Sequence, residues 1–256
     1  MNRVFCPIVV FCILGSCGLA KAGIVGQGIT PLATYGFSSI SNNKLADAQI
    51  GATQLFVDLY GWDDGEAVGD PGVASALFLF RNVGPEPSSI TAVYFQDGAL
   101  LSLSEVINGE YVKFSKGATP PNLPGGSGLD PSFEPTSGFL ADSDPPVERN
   151  GVHPGQELGV VFSLVSDLSV SDVIGALELA LSDPSKISEP DDLTLRIGIQ
   201  VQGFAGGGSE QFINSDGGGT SPAPPVVPEP GAFLLWTVGG ILSGLMIRRR
   251  RLNVTV

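Results

Sequence analysis

Hydrophobic and polar residues alternate along several short stretches of the chain, the period-two pattern typical of β-strands. The clearest case is residues 193–204, LTLRIGIQVQGF, where Leu193, Leu195, Ile197, Ile199 and Val201 share one face. Thr194, Arg196, Gln200 and Gln202 share the other face. Residues 74–80, ASALFLF, are continuously apolar, as in a strand covered on both sides. These patterns predict a strand-rich domain.

Shorter stretches add to this prediction. Residues 90–95 and 99–103, joined by the Asp97-Gly98 pair, are typical of a hairpin, because Asp-Gly favours tight turns. Further strands are predicted at 52–60, 111–114 and 158–165.

One short helix is predicted among the strands. Ser169 and Asp172 form an S-x-x-D helix start, and Ile174, Leu177 and Leu181 continue it with helical spacing. A single helix in a strand-rich body predicts an all-β fold over residues 23–214, a β-sandwich or jelly roll.

Two long segments, 117–138 and 141–155, are predicted as loops. Segments of this length are expected either to serve a function or to pack on their own side chains. We expect Phe133 and Phe139 to anchor them at the edge of the core.

The first 22 residues have the pattern of a secretory signal peptide. Arg3 precedes an apolar run at 4–14, and small residues at Ala20 and Ala22 match a signal peptidase site. The run is too short to span about 30 Å of hydrocarbon at about 1.5 Å per residue. Cleavage after Ala22 is the first prediction. The alternative is lipidation of Cys17, since residues 14–17 resemble a lipoprotein box.

Cysteine content and charge exclude several function classes. Cys6, Cys12 and Cys17 all lie in the leader, so a chain cleaved after Ala22 has no disulfide, thiol nucleophile or thiolate metal site. Residues 23–227 hold 25 of the 26 acidic residues and 7 of the 13 basic ones, a net charge of −18. Such a body repels nucleic-acid phosphates, so no nucleic-acid partner is expected.

The other end of the chain has its own pattern. A Gly- and Pro-rich linker, 215–226, precedes Val227, Pro228, Glu229 and Pro230. Residues 231–247 are an apolar run about 26 Å long as a helix, predicted to cross the membrane. Arg248, Arg249, Arg250 and Arg251 follow and are expected to stay cytoplasmic.

Residues 227–251 together resemble the PEP-CTERM sorting domain, with the Pro-Glu-Pro triplet, apolar helix and terminal arginines in that order. The resemblance implies recognition and cleavage by an exosortase in an exopolysaccharide-producing Gram-negative bacterium. The destination would be the cell surface or extracellular matrix, after transient residence in the inner membrane. A permanent membrane anchor is the alternative.

The body also resembles a group of exported PEP-CTERM proteins of unassigned function. The shared segments are 122–126 (NLPGG), 141–146 (ADSDPP), 150–152 (NGV), 196–204 (RIGIQVQGF) and 207–210 (GGSE). The resemblance implies no catalytic residues.

Candidate binding residues are few. Asp63, Asp64, Glu66 and Asp70 offer carboxylates for calcium, with Asp142, Asp144 and Glu148 as a second cluster. Trp62, beside the first cluster, is a candidate for stacking on a sugar ring. His153 is the only histidine and has no recognisable nucleophile motif beside it.

We therefore expect an exported, non-catalytic surface or biofilm-matrix protein with a structural or adhesive role and no cofactor. Its expected partners are signal peptidase, an exosortase and exopolysaccharide. A carbohydrate- or calcium-binding module is the alternative, and a hydrolase using paired carboxylates is a third reading.

Overall fold

The alternating stretches fold into strands of an antiparallel sheet. A computed structural model describes residues 23–26, 29–62, 74–97, 101–165, 167–188 and 193–216. The strands in these ranges are β1 (Ala33–Ser39), β2 (Leu55–Trp62), β3 (Ser75–Asn82), β4 (Ser89–Asp97), β5 (Leu101–Asn108), β6 (Phe114–Lys116), β7 (Leu140–Ser143), β8 (Gln156–Leu164), β9 (Leu195–Gln202) and β10 (Ser209–Ser215). The α-helices are α1 (Leu45–Gln54), α2 (Val147–Asn150) and α3 (Val170–Ser182), and 3-10 turns occupy Gly126–Gly128 and Pro184–Ser188.

These strands form one sheet in the order β5-β8-β3-β2-β1-β10-β9-β4-β7-β6. Strand β1 joins its two halves, because Ala33–Tyr35 pair with β2 and Gly36–Ser39 pair with β10. The first half is therefore β5-β8-β3-β2 and the second is β10-β9-β4-β7-β6.

The two ends of the sheet approach each other. Lys116 Nζ of β6 donates hydrogen bonds to the carbonyl oxygens of Ser104 (2.7 Å) and Leu103 (3.4 Å) in β5. The Phe114 amide also donates to Asn108 Oδ1 of β5, at 2.7 Å. The sheet is thus nearly closed and barrel-like.

The core lies between the facing halves and is rich in phenylalanine. Phe95 of β4 packs edge-to-face on Phe162 of β8, with ring centroids 4.7 Å apart, and on Phe78 of β3 at 5.1 Å. All three side chains are fully buried. The inward apolar sets of β2, β8 and β9 surround them.

Helix α3 covers this core from one side. It contacts β2 and β3 in the first half and β9 in the second. Its start is fixed by the Ser169 amide, which donates to the Asp172 carboxylate at 2.8 Å. Hydrogen bonds from Ser169 lower the pKa of Asp172. The S-x-x-D start predicted from the sequence is confirmed.

Most of the predicted strands are present, and the fold is all-β as expected. The patterns at 74–80, 158–165 and 193–204 correspond to β3, β8 and β9. In residues 52–60 the strand begins only at Leu55, because residues 45–54 are helix α1. The prediction of a single helix was therefore wrong.

The predicted β4–β5 hairpin is also wrong. Strand β4 pairs with β9 and β7, whereas β5 pairs with β8 in the other half of the sheet. Residues 111–114 were predicted as a strand, but Tyr111 has a positive φ of 65° and the strand starts at Phe114.

The predictions for both chain ends lie outside the described residues. This applies to the signal peptide 1–22, the linker from residue 217 onwards and the sorting segment 227–251. Among the residues that are described, no helix has the length and apolar character needed to cross a lipid bilayer.

The aromatic contacts between the halves should dominate stability. Replacing Phe95 by Ala removes its contacts with both Phe78 and Phe162 and leaves a cavity, so we expect a loss of about 3–5 kcal/mol in the free energy of unfolding. Denaturant titration measures this loss. Leu45, which is 73% exposed, provides the control, because Leu45→Ala should change stability by about 0.5 kcal/mol or less. Equal losses in both variants would contradict the assignment of the core.

Candidate functional site

The candidate residues predicted from the sequence fall largely outside the described part of the chain. Asp63, Asp64, Glu66 and Asp70 lie in the segment 63–73, and the calcium prediction there stays a prediction. Trp62 is the last residue of β2, where its main chain is paired with Ser75. The cleavage residues Ala20 and Ala22 and the sorting residues Val227, Pro228, Glu229, Pro230, Arg248, Arg249, Arg250 and Arg251 likewise lie outside it.

The second acidic cluster does not assemble into a metal site. The Thr119 amide donates to Asp142 Oδ2 at 2.9 Å, and Ser115 Oγ donates to Asp144 Oδ1 at 2.8 Å. Burial raises the pKa of Asp142. Across the described ranges, no three His, Cys, Asp or Glu side chains are grouped so that they could hold a metal ion.

An open polar cleft of about 410 Å³ is formed by described residues. It lies between helix α2 and the loop that connects β9 to β10. Its lining residues are Glu148, Gln202, Gly203, Phe204, Gly207, Gly208 and Ser209. Phe204 is almost fully buried in the core, so the wall of the cleft is mostly polar side chains and glycine backbone.

Glycine gives this cleft its shape. Gly203 has a φ of +72°, a left-handed conformation that side chains rarely adopt. A Cβ at this position would lie 3.0 Å from Glu148 Oε1, so any larger residue would press into the cleft. Gly207 and Gly208 also have positive φ, which lets the loop return sharply into β10.

Lys44 holds the loop, and Glu210 in turn holds Lys44. Lys44 Nζ donates to the carbonyl oxygens of Gly206 (2.8 Å) and Gly207 (2.7 Å). The Lys44 amide donates to Glu210 Oε1 at 2.6 Å. Lys44 therefore ties the loop to the start of α1.

Glu210 is completely buried in β10. Its Oε2 accepts hydrogen bonds from Ser41 Oγ (2.5 Å) and Ser39 Oγ (3.2 Å), in addition to the Lys44 amide on Oε1. Buried charges are tolerated only when hydrogen-bonded in this way. Sequence reasoning missed Glu210 as a structural centre, although an acid in a strand beside apolar residues 212–213 was a usable indication.

A second buried charge, Arg196 of β9, lies on the outer face of the sheet. Its Nε donates to Gln96 Oε1 and its Nη1 to the Pro131 carbonyl oxygen, both at 3.0 Å. Nη2 donates to the Ser132 carbonyl oxygen. The guanidinium carbon lies 5.3 Å from the centroid of the Phe133 ring. Burial lowers the pKa of Arg196 to about 10.

Arg196 thereby binds the loop 117–139 onto the sheet. Leu123 and Phe133 of this loop lie directly over Gly198, where a Cβ would come within 2.7 Å of Leu123 Cδ2 and 3.0 Å of Phe133 Cζ. Tyr94 Oη also donates to the Pro120 carbonyl oxygen, at 3.1 Å. Burial raises the pKa of Tyr94 to about 12. Phe133 is buried as predicted, but on the outer face of the sheet rather than at the edge of the main core.

Several of the segments on which the predicted resemblance to exported proteins rests have a structural role here. Segment 196–204 supplies Arg196 and Gly198, and segment 122–126 supplies Leu123, which lies over Gly198. Segment 150–152 passes so close to β4 that a Cβ at Gly151 would collide with Ser89 and the Ile90 carbonyl. Glu210, the buried carboxylate of β10, is the last residue of segment 207–210. These residues therefore fix loops on the sheet.

His153 is held by one side-chain partner and one main-chain partner. Its amide donates to Gln156 Oε1 at 2.9 Å, and its Nε2 lies 3.3 Å from the Arg149 carbonyl oxygen. His153 therefore lies in the turn that leads from α2 into β8 and is bonded to both elements.

No protein-family model matches the chain, and no curated protein or solved structure is significantly similar to it.

The forked hydrogen bonds of Arg196 predict a clear difference between arginine and lysine. Arg196→Lys keeps the charge but cannot donate to Gln96, Pro131 and Ser132 together. We expect a loss of about 2–4 kcal/mol in the free energy of unfolding, with faster proteolytic cleavage in the loop 117–139. Denaturant titration and limited proteolysis with mass spectrometry measure the two effects.

Arg149→Lys is the matched control, because Arg149 is exposed on α2. It should leave both measurements unchanged. An Arg196→Lys variant as stable and as protease-resistant as the parent would refute the role given to the guanidinium.

Proposed function

We propose that this chain is an exported, non-catalytic protein of the cell surface or exopolysaccharide matrix, sorted by an exosortase-type enzyme. The observation that carries this proposal is the order of features in residues 227–251. A Pro-Glu-Pro triplet precedes an apolar run and an arginine cluster, opposite a signal-peptide-like leader. The leader exports the body, and the tail holds it at the membrane until the sorting enzyme acts.

The body has properties that suit such a location. Its stability comes from a phenylalanine-rich core and hydrogen-bonded loops, and residues 23–256 contain no cysteine. It is therefore insensitive to the redox state of its surroundings. Its strong negative charge favours solubility outside the cell. On these grounds we propose a structural or adhesive role in the matrix.

The polar cleft favours a second candidate function, binding of a neutral carbohydrate. Glu148, Gln202 and Ser209 provide acceptors and donors of the kind that bind sugar hydroxyls, and the glycine loop lets a ligand approach the backbone. Glu148 is the one carboxylate among the described residues lining the cleft. A paired-carboxylate hydrolase needs two, so the cleft supports binding rather than glycoside cleavage.

Sorting is tested in an exopolysaccharide-producing Gram-negative host and in its exosortase-deletion strain. In the first strain we expect a product whose mass begins at Gly23 and ends near Pro228–Pro230, outside the membrane fraction. Replacing Pro228, Glu229 and Pro230 by alanine should reduce this released product at least about tenfold, because the extended substrate segment is lost. The deletion strain should give the same loss.

Alanine at Pro224 and Pro225, in the linker, is the matched control and should be released normally. A wild-type product that retains Arg248–Arg251 and remains in the inner membrane would contradict sorting by cleavage and indicate a permanent anchor.

Carbohydrate binding is tested with the purified protein on a glycan array and by calorimetry with the exopolysaccharide of the host. If the cleft binds sugar, Glu148→Ala should weaken affinity about tenfold or more, because a charged hydrogen bond contributes roughly 1.5–3 kcal/mol. Glu178→Ala, on the exposed face of α3, is the matched control. Binding that Glu148→Ala leaves unchanged would place the ligand elsewhere.

A further inference from the structure

The outer face of the first half of the sheet carries an apolar patch that the start of the described chain covers. Tyr60, Leu77, Leu79 and Val161 form this patch, all of them buried. Ile24 and Val25 pack against it, together with Ile107 of β5. The segment 23–26 is thus part of the folded structure.

A carboxylate lies where this segment begins. The Ile24 amide donates a hydrogen bond to Glu157 Oε1, at the start of β8. A Cβ on Gly23 would lie 3.0 Å from Glu157 Oε1 and 3.5 Å from Oε2. The Gly23 nitrogen is bonded to the same Cα, so it lies within about 6 Å of the carboxylate, a distance at which an opposite charge shifts a pKa.

Gly23 is also the residue that signal-peptide cleavage after Ala22 would expose. Hydrolysis of the Ala22–Gly23 peptide bond consumes one water, leaves a carboxylate on Ala22 and converts the uncharged amide nitrogen of Gly23 into an α-ammonium group. We propose that Glu157 is a docking site for this new ammonium group, so that processing itself locks the amino terminus onto the outer face of the sheet. This inference rests on the proposed export, because it requires cleavage after Ala22.

The charges on this face suit such a pair. Asp58 of β2 and Arg81 of β3 already form an ion pair, with Arg81 Nε 2.5 Å from Asp58 Oδ2. Asp58 also accepts a hydrogen bond from Thr34 Oγ1, at 2.7 Å. Glu157 stands opposite Arg81 in the β3–β8 register. Among the described residues, Tyr60 of β2 and Glu105 of β5 are further titratable groups on this face. An α-ammonium at Gly23 adds a positive charge beside Glu157, on a face where Arg81 is already paired with Asp58.

The pair has a definite pH dependence. An α-amino group titrates near pH 7.7–8.0 in the unfolded chain, and an adjacent carboxylate raises that value in the folded state. A raised pKa contributes stability that is complete below the unfolded value and is lost as the pH rises through the folded value. The stability contributed by the pair of Glu157 and the Gly23 ammonium should therefore be lost at alkaline pH, above about 8.

The test uses the full precursor, expressed with its own leader in a Gram-negative host. Mass spectrometry of the purified product first identifies its amino terminus. The pKa of the Gly23 amine is then measured from the pH dependence of its acetylation, with the lysines as internal standards. We expect a pKa about 0.5–1 higher than in Glu157→Gln, where the amine should titrate near its ordinary value. The melting temperature of the parent should also fall more steeply between pH 7 and 10 than that of Glu157→Gln.

Two control variants separate the ion pair from general charge effects. Glu86→Gln removes the same charge from an exposed loop between β3 and β4 and should leave the Gly23 amine as in the parent. Insertion of one Ala between Ala22 and Gly23 moves the ammonium away and should lower the amine pKa to the Glu157→Gln value.

The outcomes distinguish the inference from the proposed function. A product that begins at Gly23 with the same amine pKa in the parent and in Glu157→Gln overturns the docking site and leaves export intact. A product that begins at any other residue, including lipidated Cys17, overturns both the docking site and the predicted cleavage.

Discussion

The edge-to-face contacts of Phe95 with Phe78 and Phe162 join strands that lie far apart in the order of the sheet. Strand β4 is separated from β3 by β2, β1, β10 and β9, so the backbone ladder alone does not bring their side chains together. The aromatic contacts do, and they lie inside a sheet whose end strands, β5 and β6, approach each other. The helices and loops then pack on a surface that this closure creates. Aromatic pairs add stability beyond the area that they bury, which suits a domain without a disulfide.

Irregular segments are attached to this closed sheet by buried charges rather than by apolar contacts alone. Arg196 holds the loop 117–139 through carbonyl oxygens, and Glu210 holds the start of α1 through two hydroxyls and an amide. Each charge costs free energy to bury and is retained only while every partner is in place. The loops are therefore fixed in one arrangement, and the polar cleft beside Gly203 keeps its shape.

The local pattern of the sequence predicts strands well where a strand is buried on one or both faces. The alternation in 193–204 corresponds to β9, and the capping residues Ser169 and Asp172 place α3 correctly. Pairing was less predictable, because the Asp97-Gly98 turn suggests a hairpin while β4 and β5 belong to opposite halves. Strand partners depend on contacts distant in sequence, such as Phe95 with Phe162, which no local pattern encodes. Helix α1 was missed because its large apolar residues are few and the amide of Lys44, just before its first residue, is held by Glu210, 166 residues away.

The candidate site was predictable only in part for a similar reason. Arg196 and Gly198 were visible as members of a strand, but their roles come from Leu123 and Phe133, which reach them across a long loop. The cleft is formed by α2 and the β9–β10 loop, two segments about 55 residues apart. The three side chains that supply its hydrogen-bonding groups, Glu148, Gln202 and Ser209, do not form a sequence motif. Such residues come together only in the folded structure, so their spacing along the chain does not reveal the site.

Lys116 has a consequence for behaviour at high protein concentration. A sheet that stops just short of closure leaves main-chain groups of β5 facing outwards, where a second molecule could add a strand and begin an aggregate. The ammonium of Lys116 donates hydrogen bonds to the carbonyl oxygens of Leu103 and Ser104, next to the bulge in β5. One flexible side chain thus blocks intermolecular strand addition at the seam. A protein crowded among its own copies can then remain a discrete particle instead of joining edge to edge.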